Sequence, residues 1–202
     1  MSAIAEIKKF IVSIPEGEPF SASSLRSFAC TDNIRQILNR LVKSGEIKRI
    51  TRGVFLKPKF ISTLGEQLPL ASDIARVLAE STGETIAVHG SEAARQLQLT
   101  TQVPMRPIFY TSGNTRTLKF ANRTVKLQHV NPSKLIAPGT TGGLIISALM
   151  YLGKENVTTE TISAIKMHVS FEEFQQVTMM VEHMPAWVAD LFFRYQQEHH
   201  HE

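Results

Sequence analysis

Among its 202 residues the chain has one cysteine, Cys30, and one tryptophan. A single thiol excludes an intrachain disulfide and any cysteine-based zinc cluster, and a reducing cytoplasm is the simplest home for such a chain. Long apolar runs are also missing: no stretch approaches the roughly 18 uncharged apolar residues that a membrane helix needs. The opening residues, MSAIAEIKKFIVSI, place acids and bases inside the apolar pattern, which fits a helix and not a signal peptide. No internal repeat or low-complexity tract stands out.

Signatures of chemistry are equally scarce. Ser91, in HGSEA, lies outside a G-x-S-x-G elbow and stands at a helix start. Gly139, Gly142 and Gly143 in PGTTGG precede a helix whose free amides attract anions, but the lysine and spacing of a P-loop are missing, so an ordinary loop leading into a helix is favoured. Glu172, Glu173, Glu182 and His183 read as a solvated helical surface, since neighbouring Glu182 and His183 point apart and no His-x-x-x-His pair exists. His199, His200 and His201 can bind metal adventitiously, with a disordered end or an expression remnant the simpler account. Cys30 is expected as a small buried filler at a turn. No catalytic residue, metal ligand or cofactor is expected.

What is present is an ordinary core-forming composition, 43% hydrophobic and 20% charged, enough for one large domain or two small ones. The formal net charge of +4 is unevenly spread. Residues 1–59 carry 11 basic and 5 acidic side chains, a net of +6, whereas residues 60–202 carry 11 and 13, a net of −2. A basic head on a mildly acidic body suggests that the head meets a polyanion.

Within that head, Thr31 to Pro58 is the most informative stretch. Ile34, Ile37, Leu38, Leu41 and Val42 fall on one helical face, with Thr31 or Asp32 as cap and Gly45 at a left-handed end. Ile47–Ile50 and Val54–Leu56 follow, joined by Thr51-Arg52-Gly53, which predicts a hairpin with a basic tip. Upstream, Ser2 to Ser13 reads as a first helix, and Ser21, Ser23 or Ser24 can cap a short second one through Phe28 or Ala29. Helix, short helix, turn, longer helix and hairpin is the order of a winged helix-turn-helix.

In that arrangement the N-terminal part of the longer helix meets bases, so Asn33, Arg35 and Gln36 are the candidates for base readout: planar guanidinium and amide groups match the edges of guanine and adenine. Asn39, Arg40 and Lys43 are expected at phosphates, with Lys48, Arg49 and Arg52 along the backbone and Arg52 at the hairpin tip. The plainer alternative is the solvated side of an amphipathic helix.

Beyond a linker near residues 60–69, a helix with Ile74, Val77 and Leu78 inward ends at Gly83. Thr85–Val88 is expected as a buried strand, followed by a short helix capped by Ser91. Alternation predicts strands over 108–111, 116–120 and 124–130, with a turn at Ala121-Asn122-Arg123, giving a small antiparallel sheet. Helices are expected over Leu144–Leu152, Val157–Met167, Phe171–Val181 and Pro185–Tyr195. The expected fold is α+β: a winged helix-turn-helix over 1–59, then a mixed α+β domain over 70–202 with C-terminal helices.

The head followed by Val88-His89-Gly90-Ser91-Glu92-Ala93-Ala94-Arg95-Gln96-Leu97-Gln98-Leu99-Thr100-Thr101-Gln102-Val103-Pro104, and then by PIFYTSGNTRTLKFANRTVKLQHV, resembles the AbiEi-like antitoxins of type IV toxin–antitoxin (abortive-infection) systems. The likeness covers roughly residues 1–135. It implies a cytoplasmic transcriptional autorepressor that binds inverted repeats of double-stranded promoter DNA. It also implies an antitoxin that opposes a nucleotidyltransferase-like toxin functionally, without a stable complex. Two other readings stay open: a nucleic-acid-processing enzyme targeted by the winged helix, and an ordinary repressor whose C-terminal domain senses a ligand or protein.

Overall fold

A computed structural model describes residues 2–63, 65–121 and 123–199. His200 and His201, and Asn122 of the expected turn, lie outside the described residues. The architecture is mixed α+β, with helices and small sheets of which most pairings are antiparallel. Contacts divide the chain into two compact units, residues 1–84 with 118–124, and residues 85–117 with 125–202.

In the first unit, helix α1 (Ala3–Ser13) buries Ile7 and Ile11. Pro15, Gly17 and Pro19 end its run, as residues that lack an amide hydrogen or favour positive φ should. Strand β1 (Pro19–Ser21) follows, unforeseen in the sequence. The expected short second helix is only a 3-10 turn, Ala22–Leu25, whose cap is Ser21: its hydroxyl accepts from the Ser23 amide. Three serines within four residues favour local side-chain bonds over helix propagation.

Helix α2 (Thr31–Lys43) seats Ile34, Ile37, Leu38 and Leu41 in the core and stops at Gly45, φ +75°, while Val42 is half-buried. Its N-cap is Cys30, which makes no side-chain capping bond, and not Thr31 or Asp32. Cys30 is exposed, correcting the buried-filler expectation: the residue before a helix faces outward when the buried stripe begins at Ile34. Strands β2 (Lys48–Thr51) and β3 (Val54–Leu56) form the expected hairpin, turning at Gly53 with φ +81°. β3 also pairs antiparallel with β1, in the order β1-β3-β2.

The expected linker region contains an antiparallel hairpin, β4 (Lys59–Ile61) with β5 (Gly65–Gln67). Helix α3 (Ala71–Thr82) ends at Gly83, φ +71°, and packs against β1, β3 and the 3-10 turn. The core of the first unit gathers Ile7, Phe20, Leu25, Ile37, Leu38 and Phe55, among others.

In the second unit, β6 (Ile86–Val88) is half-buried along its length, not fully buried as its composition suggested. Helix α4 (Gly90–Gln96) is capped by His89, whose ring nitrogen accepts from the Ser91 amide, and not by Ser91 itself. Strand β7 (Ile108–Thr111) follows; with β8 (Arg116–Phe120) and β9 (Arg123–His129), whose residues 118–120 and 123–124 are counted with the first unit, the strand order is β6-β7-β9-β8. β6 and β7 pair antiparallel, whereas β7 and β9, separated in the chain by β8, pair in parallel, which corrects the antiparallel arrangement expected of 108–111, 116–120 and 124–130.

The helical part comprises α5 (Thr141–Leu152), α6 (Thr159–Lys166), α7 (Phe171–Met179) and α8 (Ala186–His199). Its core draws on Ala93, Ile146, Leu149, Ile162, Val177 and Phe192. Gly90 belongs to this packing: a Cβ there would stand 2.3 Å from Tyr151 Cβ and 2.6 Å from the Ser147 carbonyl oxygen, so only glycine lets α4 lie this close to α5. Among the described residues no helix is long and apolar enough to cross a membrane.

Candidate nucleic-acid interface

The amphipathic pattern of α2 decides what its other side can do. With Ile34, Ile37, Leu38 and Leu41 turned into the core, Asn33, Arg35, Gln36, Asn39, Arg40 and Lys43 are all exposed. At 3.6 residues per turn these divide into two adjoining stripes. Arg35 and Asn39 lie one turn apart on the side toward the hairpin; Asn33, Gln36, Arg40 and Lys43 occupy the rest of the polar arc.

The first stripe borders a groove of about 290 Å³ between the 3-10 turn, α2 and the β2–β3 hairpin. Four arginines line it: Arg35 from α2, Arg49 and Arg52 from the hairpin, and Arg26 directly after the 3-10 turn. Asn39, Ser23 and Thr31 add hydrogen-bonding groups, and Ile34, Leu38 and Phe55 form an apolar floor. The Arg49 guanidinium carbon lies 6.0 Å from the Phe55 ring centroid, over its face, an arrangement that holds the cation by the ring quadrupole while leaving its donors available.

The remaining cations differ in how committed they are. Arg35 Nη2 pairs with Asp32 Oδ1 at 3.2 Å, but both side chains are largely exposed, so this bond contributes little and exchanges readily for another anion. Lys48 Nζ meets both carboxylate oxygens of Glu66 on β5, at 2.7 and 2.9 Å. Lys8 pairs with Glu46, whose carboxyl is held below its ordinary range by the Ser44 hydroxyl and by Lys8. Among the described residues no carboxylate lies at ion-pair distance from Arg26, Arg40, Lys43, Arg49 or Arg52.

Of the nine residues expected to face nucleic acid, the groove brings together Arg35, Asn39, Arg49 and Arg52. Asn33, Gln36, Arg40 and Lys43 stand beside it on the same helix, and Lys48 is engaged by Glu66. The distinction between base-reading Arg35 and phosphate-binding Asn39 does not correspond to separate locations, since both line one groove. Arg26 was not anticipated. The sequence signal for it was only its place in the basic head, because nothing local shows that residue 26 folds against residues 49–52.

The other places weighed for chemistry resolve locally. Thr140 Oγ1 caps α5 by accepting from the Gly143 amide. A Cβ at Gly143 would stand 2.2 Å from the Ala137 carbonyl oxygen, so the glycine run serves a tight chain reversal. Glu173 accepts from the Thr141 hydroxyl at 2.5 Å and closes a capping box with Ser170, and these bonds hold its carboxyl below the ordinary range. Among the described residues no group of three His, Cys, Asp or Glu side chains is arranged to hold a metal ion.

Comparison with known proteins places these features in a family. A model described as "Family of unknown function (DUF6088)" matches residues 6–177, so the chain belongs to that family. No curated protein matches it.

Proposed function

For this member of the DUF6088 family, whose function is unknown, we propose a sequence-specific DNA-binding regulator whose first unit is a winged helix-turn-helix. The carrying observation is the groove in which four arginines from three chain segments meet with no carboxylate lining it. Guanidinium groups bind phosphate bidentately and, on a helix, guanine edges equally well. In this reading α2 enters the major groove and the β2–β3 hairpin is the wing. Asn33, Arg35 and Gln36 read bases; Arg26, Asn39, Arg40, Lys43, Arg49 and Arg52 hold the backbone.

The resemblance to AbiEi-like antitoxins supplies the biological setting: an intracellular autorepressor of its own promoter, acting on inverted repeats. In the same setting the protein is an antitoxin without enzymatic activity that opposes a nucleotidyltransferase-like toxin without a stable complex. Co-expression with such a neighbouring gene, scored by growth, tests this second part. Rescue by the intact chain is expected, and toxicity undiminished by it overturns the antitoxin role.

Anisotropy titration of the upstream promoter at two salt concentrations tests the DNA contact. Arg35→Ala is expected to cost about 1–3 kcal/mol and to relax sequence preference. Arg26→Ala and Arg52→Ala are expected to weaken binding to all sequences and to lower the salt slope by about one each. Affinity and slope unchanged in all three variants would overturn the interface.

A further inference from the structure

The second unit contains a cavity of about 540 Å³ that the DNA-binding reading does not use. It lies beside the junction of β6 and α4, where the His89 ring is held on two sides. Tyr110 on β7 stands 4.6 Å away between ring centroids and Tyr151 on α5 stands 5.8 Å away. His89 Nδ1 accepts from the Ser91 amide and lies 2.8 Å from the Ser91 hydroxyl, which fixes the ring. The close packing required at Gly90 positions Tyr151 against it. Burial and the charge of Lys126 keep the His89 pKa below its ordinary value, so at neutral pH the ring is uncharged, and with Nδ1 accepting, its Nε2 bears the hydrogen.

The walls have a consistent chemistry. Arg106 is the only charged residue lining the cavity among the described residues, and no carboxylate opposes it. Ser91, Thr100 and Gln102 offer donors and acceptors, the Gln102 amide both at once. Val103 and Met105 add apolar surface at its rim, where both are exposed. A lone inorganic anion would leave most of this volume empty, whereas 300–1,000 Å³ is the range of small-molecule sites.

From this geometry we propose that the cavity bounded by His89, Ser91, Gln102, Met105, Arg106 and Tyr151 is a binding site for a mononucleotide. Arg106 takes the phosphate, the His89 and Tyr151 rings face the base, and Gln102 with Ser91 meets its polar edge. Stacking on aromatic side chains is sequence-tolerant, so the amide and hydroxyl carry any preference among bases. The site stands independently of the DNA-binding reading, since none of its residues lies in the arginine groove.

The test is calorimetric titration of the full chain with the 5′-monophosphates of adenosine, guanosine, cytidine and uridine, and with inorganic phosphate. At least one nucleotide is expected to bind saturably below about 1 mM. Inorganic phosphate should bind more weakly, and the His89 ring resonances should shift on nucleotide addition. Arg106→Ala should weaken the binding about tenfold or more, as loss of a charge-assisted bond does, and Arg52→Ala should leave it unchanged. Gln102→Ala, on an exposed segment, should alter the ranking of the four bases. No saturable binding by any nucleotide, equal affinity for phosphate alone, or loss in Arg52→Ala with retention in Arg106→Ala would each overturn the site.

Discussion

At Gly90 a side chain has no room in any rotamer, because the obstructing atoms are a Cβ and a backbone carbonyl oxygen, neither of which can swing aside. Gly90→Ala is expected to cost about 1–3 kcal/mol, read as a lower urea midpoint at unchanged slope; an unchanged midpoint would mean that α4 and α5 separate freely. The adjacent His89 makes a distinct prediction about pH. Its folded-state pKa lies below the ordinary 6.5, first through burial and then through Lys126. The other groups facing the ring are Tyr110, Tyr151 and Ser91, and Tyr110 is itself pushed above its ordinary value, mainly by burial. On acidification the unfolded chain takes up a proton near 6.5 while the folded ring resists, so the unfolded state binds more protons in that window. The stability contributed by neutral His89 is therefore complete above 6.5 and is lost as pH falls below it toward the folded value. His89→Asn keeps a good helix cap and removes the titration. Thermal midpoints recorded from pH 7.5 to 5 should fall more steeply for the wild type than for this variant, and parallel curves would refute the assignment.

Among the elements, the β4–β5 hairpin reaches the proposed interface through Glu66, which holds Lys48 at the start of β2, the strand proposed to open the wing. Glu66→Gln frees that ammonium, and promoter affinity should rise at low salt with a salt slope steeper by about one; unchanged binding would place Lys48 away from the DNA. This hairpin was also the hardest element to read. Its strands are three residues long and have no alternating pattern, so the stretch resembled a linker. α2 was legible for the opposite reason: five apolar residues at helical spacing followed by a glycine leave little choice. The β7–β9 pairing was invisible because a period of two encodes which face is buried and not which way a neighbour runs. The candidate site shows the same divide. Arg35, Asn39, Arg49 and Arg52 were legible from a helix and a hairpin that are each local. Arg26 was not, because residues 23–26, 31–39 and 49–55 meet only through the fold.

At the scale of the molecule, the described residues include two hydrophobic clusters with no buried residue in common, one built on α1, α2 and β3 and the other on α4 to α8. The charge follows the same division in sequence, with the excess of cations in residues 1–59. If the function divides likewise, a defect in one core should be felt where that core lies. Leu38 is 1% exposed and Ile162 fully buried, one in each cluster. Truncating either to alanine removes buried methyl groups and leaves a cavity, at about 2–5 kcal/mol. In Leu38→Ala, hydrogen exchange should accelerate across α1, α2 and the β2–β3 hairpin, and promoter affinity should fall with the folded fraction of that unit. Nucleotide binding and the protection of α5 and α6 should persist. Ile162→Ala should give the converse, exposing the amides of α6 and α8 while the promoter complex survives. Uniform loss of protection along the chain in both variants would mean that the two cores fold as one cooperative body. The basic head could then not be altered without cost to the second unit.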